Sequence, residues 1–103
     1  MIGLIKDNYE SLNNLCKQYR VQRLEVFGSA LTGEGFDSES SDLDFLVEFL
    51  PLQPGEHADC YFGLLEALQD MFQRHVDLVE TKAIRNPYFL ESINRNRREI
   101  YAT

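Results

Sequence analysis

The chain is 103 residues long, which suits one domain around a single modest core and excludes a two-domain arrangement. With 44% hydrophobic and 12% aromatic residues it has the composition of a folded globular protein, not of a disordered one. Its net charge of −7 argues against a binder of nucleic-acid backbones, whose affinity comes from clustered Lys and Arg, whereas a divalent-cation or nucleotide site can be acidic. No apolar run approaches the ~20 residues of a membrane span, and the N-terminus lacks a signal-peptide pattern, so no membrane partner is expected and the cytoplasm is the expected compartment. Cys16 and Cys60 lack C-x-x-C spacing and are expected as reduced, buried thiols.

In chain order, Ile2 to Tyr19 reads as one amphipathic helix, with Ile5, Tyr9, Leu12 and Cys16 at four-three-four spacing and Leu15 and Tyr19 widening the stripe. "VQRLEVFG" is a short strand ending on Gly28. "SALTGEGFDSESS", with two glycines and four serines, is a loop. "DLDFLVEF" is a second strand with Leu43, Phe45, Val47 and Phe49 on one face and Asp42, Asp44, Leu46 and Glu48 on the other. "PLQPGE" breaks it, and a helix from His57 to Arg74 follows, carrying Tyr61, Leu64, Leu65, Leu68, Met71 and Phe72 as its apolar stripe.

"HVDLVE" is a third strand, with Val76 and Leu78 opposite Asp77 and Val79. Asn86-Pro87 reads as a cap and first turn of a helix that turns Phe89, Leu90 and Ile93 inward, and "EIY" adds a final edge strand. The order predicts one α/β (α+β) domain over residues 1–103, a small mixed sheet of three to four strands backed by helices.

The chemistry concentrates between Phe27 and Phe49, "FGSALTGEGFDSESSDLDFLVEF". Asp42 and Asp44 stand at i and i+2 on a strand, so both carboxylates leave one face about 6–7 Å apart along the chain. Such a pair repels itself unless it is solvated or holds a cation. Mg²⁺ is commonly held by one or two carboxylates plus substrate phosphates. Asp77 repeats the theme, and if the second and third strands are neighbours three carboxylates converge on one patch. The Gly28-Ser29 pair supplies the complement, since Gly lets the backbone approach a phosphate and Ser29 adds a hydroxyl donor. Each element alone is common. Their order is much more specific: strand, Gly-Ser, residues 30–41, Asp-x-Asp opening a strand, a helix, then a lone strand Asp.

"FGS" through "SDLDFLVEF" resembles the nucleotidyltransferase fold of the polymerase-β superfamily, with its hydrophobic-Gly-Ser, short gap and Asp-hydrophobic-Asp-hydrophobic signature. The size of the chain, "VDLVE" and "RNPYF…EIY" resemble the minimal nucleotidyltransferase branch, and the likeness runs from the first helix to the terminal "IY". It implies that Asp42, Asp44 and Asp77 ligate one or two Mg²⁺ ions, that Asp77 can act as base, and that Gly28 and Ser29 hold the nucleoside triphosphate, ATP. It also implies a protein partner, a helical HEPN-type toxin onto whose hydroxyl AMP is transferred, with homo- and hetero-oligomers both open. One departure from the related "GSYARG" pattern is Leu31-Thr32, where a basic residue is common. The loop is also about two residues longer than the commonest antitoxin form and adds Glu34, Asp37 and Glu39.

Several residues invite a role and have a plainer reading. His75 abuts the Asp77 strand, where a proton shuttle is one reading, and the plainer one is a histidine without a functional role. Glu48 continues the aspartate face and reads as solvated or ion-paired. Arg95, Arg97 and Arg98 read as a helix C-terminus complementing the dipole, with a nucleotide phosphate or an acidic partner as the other reading. Two other functions stay open beside the transferase: a non-catalytic antitoxin that neutralises its partner sterically, and a catalytic subunit modifying a small molecule such as a cationic aminoglycoside.

Overall fold

In the computed structural model of the chain, residues 3–28, 42–81, 88, 91 and 97–103 are described. The first amphipathic stretch is two helices, α1 (Gly3–Lys6) and α2 (Tyr9–Gln18), where the periodicity predicts one. The break has a local cause. The Asn8 side-chain amide donates back to the Leu4 carbonyl at 2.8 Å, and Asn8 leaves helical geometry at φ −110°, ψ 15°. The apolar stripe survives the break, because Ile5, Leu12 and Cys16 are all fully buried. Burial also raises the Cys16 thiol to about 12, so this cysteine is inert, while Cys60 is only partly covered.

Four strands follow in the sheet order β3-β2-β1-β4: β1 (Val21–Phe27), β2 (Leu43–Phe49), β3 (Val76–Glu80) and β4 (Arg97–Ala102). β1 runs antiparallel to β2 and β4, and β2 runs parallel to β3. A parallel pair needs a crossover, and α3 (Glu56–Phe72) lies in it, ending two residues short of the expected Arg74 because Gln73 turns left-handed at φ 53°. The edge strand expected from "EIY" is β4. It begins at Arg97, so Arg97 and Arg98 stand on a strand and not at a helix end as predicted. Ser29 and the loop that follows it, Arg95, and Phe89, Leu90 and Ile93 of the helix expected after Asn86-Pro87 lie outside the described residues.

The alternation on β2 is as predicted. Leu43, Phe45, Val47 and Phe49 join Leu24 and Val26 of β1 in the core, under Leu64, Leu68 and Phe72 of α3. Phe45 and Phe72 stack at 6.1 Å between ring centroids. Gly63 lets α3 approach the end of α2, since a Cβ there would meet Tyr19 at 2.5 Å. Leu68 is fully buried in the core cluster, so Leu68→Ala is expected to destabilise the fold by about 2–5 kcal/mol, read as the shift in a urea unfolding midpoint. A loss below about 0.5 kcal/mol would mean that α3 does not bury this face.

Candidate active site

The register of the sheet builds the site. Phe27 on β1 pairs with Asp44 on β2, and Asp44 pairs with Asp77 on β3, so one row crosses three strands. Residues in one row share a face, and Asp44 and Asp77 therefore stand side by side. Asp42 precedes β2 by one residue and leaves the same face, as the i, i+2 spacing predicts. At the start of the parallel pair the Leu43 amide donates to the His75 carbonyl at 3.2 Å, which brings the residue before β3 alongside Asp42.

The three predicted carboxylates do converge, and a fourth group joins them. His75 Nδ1 lies 3.4 Å from Asp42 Oδ2 and 3.7 Å from Asp77 Oδ1. Asp42, His75 and Asp77 each present one ligand atom within 4.8 Å of the others. Asp44 stands beside Asp77 in the parallel pair, close enough for the two carboxyls to interact. His75 is the participant that the sequence reading set aside. Its signal was available, since His75 and Asp77 have the same i, i+2 spacing as Asp42 and Asp44.

Burial holds the Asp44 carboxyl well above the ordinary carboxylate range, at about 6. The hydrogen bond to Asp77 and the charges of Asp77 and Asp42 push the same way, with His75 opposing. Three carboxylates this close repel one another when all are ionised, and a counter-charge relieves that repulsion. A proton on Asp44 is one such charge. A hard divalent cation taking oxygen ligands is the other that this donor set fits.

Gly28 is required where it stands. Its φ is +74°, and a Cβ there would come within 2.7 Å of Asp44 Oδ2. The turn after β1 therefore lies directly against the carboxylate, with no side chain intervening. A cavity of about 520 Å³ opens beside the cluster, lined by Phe27, Asp44, Tyr61, Leu65, His75 and Asp77 among others. Tyr61 closes one wall by donating its hydroxyl to the Leu78 carbonyl, which ties α3 to β3.

Neither of the other tempting groups sits in the cluster. Glu48 is half-buried toward the opposite end of β2, lining a separate cavity with Phe49, His57 and Glu80. Arg97 pairs with Phe27 in the sheet, and its guanidinium lies 3.2 Å from the nearly buried Glu25 carboxylate.

Residues 9–100 match the nucleotidyltransferase domain family. A Methanocaldococcus jannaschii protein named "Putative protein adenylyltransferase" is 37% identical over 98 residues, covering 92% of this chain and 93% of its own. A solved structure named "putative minimal nucleotidyltransferase" superposes with a TM-score of 0.72 at 29% identity, over 94% of this chain and 95% of that one. The complex of a tri-AMPylated Shewanella oneidensis HEPN toxin with its MNT antitoxin contains a chain of the same fold. Its TM-score is 0.64 at 17% identity, over 95% of this chain and 72% of that one.

Proposed function

The chain belongs to the nucleotidyltransferase domain family, an enzyme class, and from that premise we propose that it transfers AMP from ATP onto a hydroxyl of a partner protein. The observation that carries this reading is the convergence of Asp42, Asp44 and Asp77 beside a turn stripped of side chain at Gly28. The bare turn at Gly28 lets the triphosphate approach the backbone, with the Ser29 hydroxyl as a further donor. Asp42, Asp44 and Asp77 would hold one or two Mg²⁺ ions. When bound, the cations would neutralise charge on the attacking and leaving oxygens of an in-line displacement at the α-phosphorus, in which the acceptor oxygen bonds to phosphorus and pyrophosphate leaves. Asp77, exposed on the edge strand, would accept the proton of the incoming hydroxyl.

The acceptor is a protein hydroxyl, on a helical HEPN-type toxin. The MNT antitoxin of Shewanella oneidensis, in complex with its tri-AMPylated toxin, is a precedent in fold. The expected setting is the cytoplasm, where ATP and Mg²⁺ are available. The direct test is incubation with the cognate partner, labelled ATP and Mg²⁺, followed by intact-mass analysis; a partner that gains no mass overturns the reading. A binding measurement is independent of the partner. Mg²⁺ and ATP together should raise the melting temperature more than either alone, because ligands bound only to the native state stabilise it by RT ln(1 + [L]/Kd). A joint shift no larger than that of either component alone would count against a joint site.

A further inference from the structure

We propose that His75 is itself a metal ligand of this site, and that its nitrogen makes the site prefer a divalent transition ion such as Mn²⁺ over Mg²⁺. The inference rests on the reading of Asp42, Asp44 and Asp77 as a cation site and goes beyond it, since that reading calls only for oxygen donors. The observation is geometric. More than half of the His75 side chain is exposed, so its ring had solvent available, yet Nδ1 faces Asp42 Oδ2 at 3.4 Å and Asp77 Oδ1 at 3.7 Å. Donors about 2.1 Å from one ion stand about 3 Å apart when adjacent in an octahedron, so small side-chain shifts bring these three onto one ion. The position is held by the backbone, because the Leu43 amide bonds the His75 carbonyl and the pairing of Leu43 with Val76 fixes the register.

Chemistry then assigns the preference. Carboxylate oxygens serve Mg²⁺ and Mn²⁺ alike, whereas an imidazole nitrogen favours transition ions and gives Mg²⁺ little. One nitrogen among oxygens therefore leaves Mg²⁺ binding to the aspartates and adds affinity only for the transition ion. Asp42, His75 and Asp77 all sit at the exposed rim, so water can complete the coordination.

The experiment titrates the full chain with Mn²⁺ and with Mg²⁺ by calorimetry at about pH 8, without nucleotide, and records the spin-echo EPR spectrum of bound Mn²⁺. His75→Ala, His75→Asn, Asp77→Asn and the control His57→Ala are compared with wild type. Wild type and His57→Ala should show nitrogen coupling to Mn²⁺, and His75→Ala should lose it. The ratio of Mn²⁺ to Mg²⁺ affinity should fall about tenfold or more in His75→Ala, with Mg²⁺ affinity changing less than about threefold. His75→Asn, which offers an oxygen in place of the nitrogen, should keep Mg²⁺ binding and lose the preference. If wild type shows no nitrogen coupling and His75→Ala leaves the ratio unchanged while Asp77→Asn abolishes binding, the imidazole is only a neighbour and the inference falls alone. If Asp77→Asn also binds both ions as wild type does, the cation-site reading falls with it.

Discussion

Asp42→Asn is expected to reduce nucleotidyl transfer by several orders of magnitude while the protein folds as before. The folding half follows from position. Asp42 precedes β2, its side chain is more than half exposed, and the core side of the strand, Leu43, Phe45 and Val47, is untouched. An amide in place of the carboxylate keeps the shape and removes one negative charge, so the repulsion felt by Asp44 falls and stability holds or rises. The catalytic half follows from charge. Asp42 supplies one face of the cluster that would hold the cation, and electrostatic stabilisation of developing charge is usually the largest contribution to catalysis.

The same variant separates the transferase from a steric antitoxin. A protein that neutralises its partner only by covering it has no need of Asp42, and would rescue growth as well as wild type when both are expressed. A transferase loses rescue and transfer together. The measurement is intact mass of the partner alongside growth, and loss of both is the expected result. Full rescue by a folded, transfer-dead Asp42→Asn protein would transfer the function to the interface. An aminoglycoside-modifying subunit differs again, because its mass gain would appear on the small molecule and the protein partner would stay unmodified.

Periodicity carried most of this architecture. The β2 alternation put Leu43, Phe45 and Val47 in the core and Asp44 on the other face, and a period of two needs no tertiary knowledge to read. What periodicity cannot carry is pairing. That Asp77 stands beside Asp44 depends on β2 and β3 being parallel neighbours in a particular register, and a slip of one residue would have turned Asp77 to the other face. For His75 the spacing to Asp77 was legible, but its approach to Asp42 depends on the same pairing of β2 with β3. The helix break at Asn8 escaped because one side-chain hydrogen bond decided it, while the apolar stripe ran on unbroken. Arg97 and Arg98 were misassigned where the C-terminal helix was expected to run on. A basic run reads equally well as a helix end or as an exposed strand, and pairing with β1 decides for the strand.

Asp44→Asn should also lose transfer by orders of magnitude, since Asp44 is the central carboxylate of the row, yet it should make the cation-free protein more stable. The direction comes from the carboxyl held at about 6 in the fold, against about 3.9 in an unfolded chain. Between those values the native state binds a proton that the unfolded state has released. Stability therefore falls as pH rises from about 4 to about 6, and stays lower above that range. At neutral pH the folded protein carries an ionised Asp44 against Asp77 and Asp42. Because the group is only half-buried, solvent screening reduces the cost to about 1 kcal/mol. An asparagine does not ionise, and its amide can still donate to Asp77. The variant should gain about 1 kcal/mol over wild type at pH 7 and clearly less near pH 5, a lower limit set by solubility close to the pI of about 4.7. Urea unfolding at both values measures the gain, and Mg²⁺ with ATP should reverse the order by stabilising wild type alone. A variant less stable than wild type at pH 7 without cation would show that the carboxylate cluster is not under repulsion, and would remove the electrostatic basis for placing a cation there.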